Sequence, residues 1–231
     1  MIVDCHIHIL PSVDDGPSSL RESENMLAAS ARAGTTRIIA TYHYRVGMFE
    51  STLEDAVRAL ADLRKSELGA KLVLGEPICE AHLDPALLDA LRHGDIGLIG
   101  RRVFLLELSH MHHQVLLNAV FALRTMALVP IICHPERYVE GIDHIQSLRD
   151  ARSAGCLIQV DAGALMGSQG RELRRRGDKL LQAGLVDMLG SDAHAADDGC
   201  ISALAAASVR YPVLADGSAL ARVLEGASEW I

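Results

Sequence analysis

Ile2-Val3-Asp4-Cys5-His6-Ile7-His8-Ile9-Leu10 is an apolar run interrupted by an acid and by two histidines two positions apart. On a strand, side chains at i and i+2 point to one face, about 7 Å apart at Cα. His6 and His8 then share a face and can hold one metal ion, although two hydrogen-bonded histidines on a strand would show the same spacing. The rest of the chain weighs on that choice. Val13-Asp14-Asp15-Gly16 follows, later apolar runs end in His43, Glu80, Glu107 and His134, and the last ends in Asp192-Ala193-His194. This is the pattern of a multi-metal hydrolase site assembled from the ends of many strands.

Strands are expected near 2–9, 36–41, 71–78, 102–108, 129–133, 157–161 and 186–190. Helical patterns fall between them, near 19–33, 52–68, 84–93, 113–127, 143–154, 171–183 and 198–210, with a last one near 217–227. Ser19-x-x-Glu22 and Ser51-x-x-Glu54 predict capping boxes. Gly34, Gly155 and Gly184 stand where helices should stop. Alternation of strand and helix predicts parallel strands with crossover helices. Seven such units suit a (β/α) barrel slightly short of eight, with a doubly wound sheet as the alternative. In either fold, ligands gather at the carboxyl ends of the strands, and there the candidate ligands lie. The sixth strand ends in Asp161.

Of the 231 residues, 49% are hydrophobic and 23% charged, enough for a well-buried core in a single domain over 1–231. A net charge of −8 argues against a nucleic-acid backbone as partner. The basic stretch Arg171 to Lys179 reads as the solvated face of a helix. Five scattered cysteines, odd in number and without CxxC spacing, make no disulfide framework and point to a reducing compartment. The first residues lack the basic region of a signal peptide, and no apolar run reaches about 18 residues. A cytoplasmic protein without a membrane span is expected.

Imidazole and carboxylate ligands without a thiolate cluster favour Mn²⁺, Fe²⁺ or Zn²⁺. Two or three such ions together would clamp a phosphoryl group and generate a hydroxide nucleophile. Arg137, in His134-Pro135-Glu136-Arg137-Tyr138, can grip phosphate oxygens with a bidentate fork. None of the five cysteines has an arginine six positions on, and the chain has no GxSxG or GxxxxGK[ST] motif. Cysteine or serine nucleophiles and P-loop chemistry are thereby disfavoured.

The segments around His6-x-His8, Val13-Asp14-Asp15-Gly16-Pro17, Arg45-Val-Gly-Met-Phe-Glu50, Leu106-Glu107-Leu-Ser109, His134-Pro-Glu-Arg137-Tyr138 and Gly190-Ser-Asp192-Ala-His194 resemble, in order and over nearly the whole chain, the PHP superfamily. Within it they resemble most the bacterial capsule-operon tyrosine phosphatases of the CpsB/YwqE type. The resemblance implies a distorted (β/α)7 TIM-like barrel with three metals, commonly manganese. His6, His8, Glu80 and Asp192 would hold the first ion. Glu80 would bridge to a second, held also by Glu107 and His134. Asp15, His43 and His194 would hold a third. Arg137 would bind phosphate, with Asp15 and His194 sharing the catalytic roles, and a metal-bridging hydroxide would attack phosphorus in line without a covalent phosphoenzyme. The partner implied is a phosphotyrosine protein, a cytosolic tyrosine autokinase of polysaccharide export. Relatives often carry an arginine after the DxH motif; here Ala195-Ala196-Asp197-Asp198-Gly199-Cys200 has none, so a second phosphate-binding arginine is missing or is supplied by Arg45.

The third strand offers both Glu76 and Glu80, and Glu80 is preferred by its distance from the helix start at Asp84. Asp14 reads as a turn residue, Glu136 as fixing Arg137 or solvating the loop, and Asp161 as a residue either behind the ligands or on a polar rim rather than a ligand. His110, His112 and His113 read as a surface loop that could line the entrance. His82, His93 and His144 read as surface residues, Cys133 as a small buried apolar one, and Trp230 as packing the last segment. Two other functions stay open: a small-molecule phosphatase, such as one for histidinol phosphate, and a non-catalytic metal-binding domain. No interface signal selects an oligomer, and a homo-oligomer stays open.

Overall fold

The computed structural model describes residues 1–93, 102–108, 113–140 and 142–224. Its strands are β1 (Val3–Ile7), β2 (Arg37–Arg45), β3 (Phe49–Glu50), β4 (Val73–His82), β5 (Val103–Glu107), β6 (Val129–Cys133), β7 (Leu157–Asp161) and β8 (Met188–Gly190). The helices are α1 (Leu20–Arg32), α2 (Leu53–Arg64), α3 (Pro85–Arg92), α4 (His113–Thr125), α5 (Ile142–Ser153), α6 (Ala162–Met166), α7 (Arg171–Gln182), α8 (Cys200–Arg210) and α9 (Ser218–Leu224). No helix among the described residues is long and apolar enough to cross a membrane.

Seven strands run parallel in the order β1-β2-β4-β5-β6-β7-β8, and β3 pairs antiparallel with the end of β2. The outer strands nearly meet. Ile7 bridges to Ala193, His8 N donates to Ala193 O at 3.0 Å, and Asp192 N donates to His6 O at 2.8 Å. Behind this seam the Asp4 carboxylate accepts the Ser191 N–H at 2.9 Å. The doubly wound alternative is therefore excluded: the chain forms a nearly closed barrel of seven parallel strands. Gly190 makes the seam possible, because a Cβ there would come within 2.5 Å of His6 Cβ.

Apolar side chains fill both sides of the barrel wall. Val3, Cys5, Ile39, Ile78, Val103, Leu105, Ile131, Cys133 and Met188 form an inner cluster with Ala219 and Leu220 of α9. Ile7, Ile38, Tyr42, Leu74, Cys79, Phe104 and Leu106 face out and pack with helix residues such as Leu27, Leu60 and Leu123. Two bulges break the simple alternation. Between Asp4 and Ile7, β1 has one residue more than the facing stretch Ile38–Ala40 of β2. Between Gly75 and Ile78, β4 has one more than Ile39–Thr41. A bulge reverses which residues face inward beyond it. Val3 and Cys5 point in before the first bulge, yet Ile7 and Ile9 point out after it.

Several boundaries differ from expectation. β2 and β4 continue past 41 and 78 to Arg45 and His82, because β3 extends the pairing of β2 and His82 pairs with Glu107 of β5. The helix after β3 is capped one residue later than the Ser51-x-x-Glu54 motif suggests: Thr52 and Asp55 form the reciprocal box. Ser51 instead donates its hydroxyl to Val13 O. At α1, Ser19 caps the Glu22 N–H, while the Glu22 carboxylate turns to Ser18 N. Helix α6 and the β2–β3 hairpin have no counterpart among the expected elements.

Candidate metal centre

The bulges aim the ligands. From the first bulge onward His6 and His8 face inward; beyond the second Glu80 does too, whereas Glu76, within that bulge, lies beside Arg64 of α2, 3.0 Å away. His6 Nε2 and His8 Nε2 stand 3.1 Å apart, each 3.0 Å from Glu80 Oε2. Asp192 Oδ1 is 3.2 Å from the first and 3.6 Å from the second. The other oxygen of Glu80 lies 2.7 Å from His134 Nε2 and accepts from Cys133 Sγ at 3.3 Å. His43 Nδ1 is 3.4 Å from Glu80 Oε2, and its Nε2 is 3.5 Å from Asp15 Oδ1, which in turn lies 3.3 Å from His194 Nε2. His8 stacks on His43 and on His194 with centroids 4.3 and 4.2 Å apart.

Among the described residues, four sets of side chains converge closely enough to hold an ion: His6, His8, Glu80 and Asp192; His8, Asp15, His43 and His194; His6, Glu80, Cys133 and His134; and His43, Glu80 and Glu107. The spacing fits metal. Neighbouring N and O donors around an ion at about 2.1 Å sit roughly 3.0–3.4 Å apart. The two imidazole nitrogens face each other at 3.1 Å and both face the Glu80 carboxylate at 3.0 Å, the convergence of donors that an ion between them would use. All nine expected ligands lie in these sets. Glu107 and His134, expected to share an ion with Glu80, fall in different sets.

Charge argues the same way. Burial disfavours the His6 imidazolium, but Glu80 and Asp192 outweigh it and push the group up to about 9. His8 is likewise raised, against burial, by Asp14 and Glu80. Burial raises Glu80 and Asp192, yet the surrounding imidazoles hold both below the usual carboxylate range. Buried carboxylates thus stay anionic and draw positive charge to the imidazoles.

A second layer orients the first. His8 Nδ1 donates to Asp14 Oδ2 at 2.7 Å, which also accepts the His43 N–H at 3.0 Å; Asp14 Oδ1 accepts the Gly16 N–H at 3.0 Å. Asp14 is a turn residue, as expected, but it also fixes the His8 ring and the His43 backbone. His6 Nδ1 donates to Gln159 Oε1 at 3.1 Å, and Gln159 Nε2 donates to Asp161 Oδ1 at 3.1 Å. In both histidines Nε2 is thereby left to the cluster. Nothing in the sequence marks Gln159, an uncharged residue inside a strand. Asp14→Asn is expected to weaken metal binding about 10–100-fold, read by calorimetric titration of the stripped protein with Mn²⁺; unchanged affinity would remove Asp14 from this role.

Left-handed backbone places the remaining groups. His134 (φ 33°) directly follows β6 and Asp192 (φ 52°) stands two residues past the end of β8, and such strain in non-glycine residues gathers at functional sites. After His134 a 3-10 turn over Pro135–Arg137 brings Arg137 inward. Its Nη2 donates to Asp161 Oδ2 at 2.9 Å and to Asp192 Oδ2. Asp161 is buried behind the ligands rather than on a rim. Glu136 is also fully buried, accepts the Asp161 N–H at 2.8 Å and does not solvate the loop. His82 is buried, not on the surface, with Nδ1 3.3 Å from Glu107 Oε2. Within the basic stretch, Arg171, Arg174 and Arg175 are exposed, but Arg176 turns in and donates to Arg137 O at 2.9 Å. Arg45 shares the face of β2 with His43. After His194 the chain is tied by Asp198, which accepts from His194 N and Cys200 N, each at 2.8 Å. His110, His112, the His113 side chain and Trp230 lie outside the described residues.

The cluster opens at one edge. Asp15 and His194 side chains are 49% and 32% exposed while His6 and His8 are sealed. A groove of about 610 Å³ lined by Pro17, Asn25, Arg32, His194 and Asp197 adjoins that edge.

The family model for capsular polysaccharide synthesis, CpsB/CapC, matches residues 2–203. The tyrosine-protein phosphatase YwqE of Bacillus subtilis (strain 168) is 31% identical over 202 residues, 84% of this chain and 77% of that protein. The tyrosine-protein phosphatase CpsB of Streptococcus pneumoniae is 28% identical over 205 residues, 85% of this chain and 84% of that protein. A crystal structure from work on these two, described as unique metal-dependent tyrosine phosphatases, shares the fold with TM-score 0.77 and 24% identity, covering 98% of this chain and 92% of that one.

Proposed function

The chain belongs to the CpsB/CapC family of capsular polysaccharide synthesis, and on that premise we propose that it is a metal-dependent phosphatase that removes phosphate from phosphotyrosine in protein. The observation that carries the reading is the Glu80 carboxylate, shared among His6, His8, His43 and His134. We assign His6, His8, Glu80 and Asp192 to one ion, Glu80 and His134 to a second, which Glu107, grouped here with His43 and Glu80, reaches by a shift of its side chain, and Asp15, His43 and His194 to a third. Mixed imidazole and carboxylate donors suit Mn²⁺ and accommodate Fe²⁺ or Zn²⁺. Ions held there supply Lewis acidity at the phosphoryl oxygens and activate water.

The chain's own groups do the rest. Arg137, anchored through Nη2, keeps its other guanidinium nitrogens for phosphate oxygens. Asp15 and His194, the exposed members of the set, meet the incoming ester. Cys133 is no nucleophile, because burial and then Glu80 push its thiol well above the ordinary range. The nucleophile assigned is water, with no covalent phosphoenzyme. The substrate fitting this family is a cytoplasmic tyrosine autokinase of capsule synthesis, with residues 1–231 acting as one unit.

The test is phosphate release by the Mn²⁺-loaded protein from a phosphotyrosine peptide, with histidinol phosphate alongside. Chelator-sensitive turnover of the peptide alone is expected. Preference for histidinol phosphate would move the protein to small-molecule chemistry, and hydrolysis of neither would return it to a non-catalytic metal-binding role.

A further inference from the structure

The turn between β2 and β3 exposes two apolar side chains next to the candidate centre: Val46 is 49% and Met48 61% exposed. Single exposed apolar residues are ordinary; their placement here is not. The Phe49 ring stacks on the His43 imidazole with centroids 5.0 Å apart and planes 18° from parallel. Arg45 is two residues beyond His43 on the same strand face, and its Nη1 is 4.0 Å from Met48 Sδ. His43, Phe49, Met48 and Arg45 therefore make one continuous strip running outward from the cluster. The strip is held in shape. Met48 N donates to Arg45 O at 3.0 Å, Gly47 N donates to Glu50 Oε1 at 3.0 Å, and Gly47 takes the φ of +74° the turn needs. The Ser51 hydroxyl ties the hairpin's exit to Val13 O, next to the turn that carries Asp14 and Asp15.

We propose that this hairpin is the aryl-binding wall of the site, with Met48 and Phe49 receiving the phenyl ring of the phosphate ester and so selecting aryl over alkyl phosphates. The inference rests on the phosphatase reading above and names what that site prefers. A phosphoryl group seated on the cluster leaves the organic part of its ester one oxygen away, at the open edge that His43 shares with the strip. A thioether, an aromatic face and a guanidinium each attract an aromatic ring. An alkyl ester gains little from the last two.

Met48→Ser sits on an exposed turn and is compared with Met48→Leu and the unaltered protein, all Mn²⁺-loaded. Two ratios are read: Kd for methylphosphonate over phenylphosphonate, neither of which is hydrolysed at its P–C bond, and kcat/KM for phenyl phosphate over glycerol 3-phosphate. Both are expected to fall about tenfold in Met48→Ser and to recover most of that in Met48→Leu. An unchanged binding ratio overturns the proposal, as does an equal loss for both ligands. If phenylphosphonate binds preferentially but no ester is turned over, the wall stands and the phosphatase reading falls.

Discussion

Glu80→Gln is expected to empty the metal centre and bring phosphate release to background, while Glu76→Gln leaves both as they are. The two glutamates are four positions apart on one strand, and the bulge between Gly75 and Ile78 separates their fates. Glu76 lies outside against Arg64. Glu80 is 1% exposed and touches imidazoles from β1, β2 and the end of β6. A neutral amide keeps the shape and removes the anion. The Nε2 atoms of His6 and His8 would then face each other with Asp192 as the carboxylate beside both, and an ion placed there would lose the donor that bridges the sets. Removing one partner of a buried charge pair costs about 3–5 kcal/mol, equivalent to more than roughly a hundredfold in affinity. Metal content by atomic emission and phosphate release should fall together in Glu80→Gln. Full metal content with lost turnover would make Glu80 catalytic rather than a ligand, and a matching loss in Glu76→Gln would point to general destabilisation.

The same bulge marks the limit of what the sequence discloses. The strand ends were legible because each apolar run closes on a His, Asp or Glu, and parallel strands bring their carboxyl ends to one mouth. The seven-strand order followed from alternation with helices. Inward or outward facing was not legible near the bulges, since one extra residue reverses it. The preference for Glu80 over Glu76 rested on distance to the next helix, and the structure supplies the physical reason. The orienting layer was hidden for another cause. Asp14 makes a turn whether or not it also holds His8, and Gln159 is distinguished only by its neighbour across the barrel. His82 read as a surface residue because β4 was expected to stop before it; pairing with β5 buries it beside Glu107.

Removing the ions is expected to reverse how stability responds to pH. In the stripped protein, His6 is pushed up to about 9 by Glu80 and Asp192 against the effect of burial, and His8 is raised as well. A group whose folded pKa lies above its unfolded value stabilises the fold fully below the unfolded value, near 6.5, and loses that contribution as pH climbs through the folded one. The depressed carboxylates Asp14, Glu80 and Asp192 act oppositely, stabilising above the ordinary carboxylate range and failing only in acid. Asp4, raised by burial to about 6, has largely titrated below neutrality. Between about pH 7 and about pH 8.5 the imidazole contribution therefore dominates, and His6 alone accounts for a loss on the order of 2 kcal/mol. For a chain of this size that lowers Tm by about 4–8 °C. Metal-loaded protein should do the reverse, because ligation needs neutral imidazoles and binding strengthens as protons leave. The buried Cys79 thiol, also raised, lowers stability near the top of the window in both forms, whereas Cys133, beside Glu80, ionises more readily with an ion present and so widens the gap in the same direction. The informative quantity is thus the gap in Tm between Mn²⁺-loaded and chelator-stripped protein, measured by calorimetry. It should widen steadily with pH across this window. A gap that stays constant or narrows would mean that protons and metal ions do not compete for His6 and His8, and the assignment of the buried set as a metal centre would fail with it.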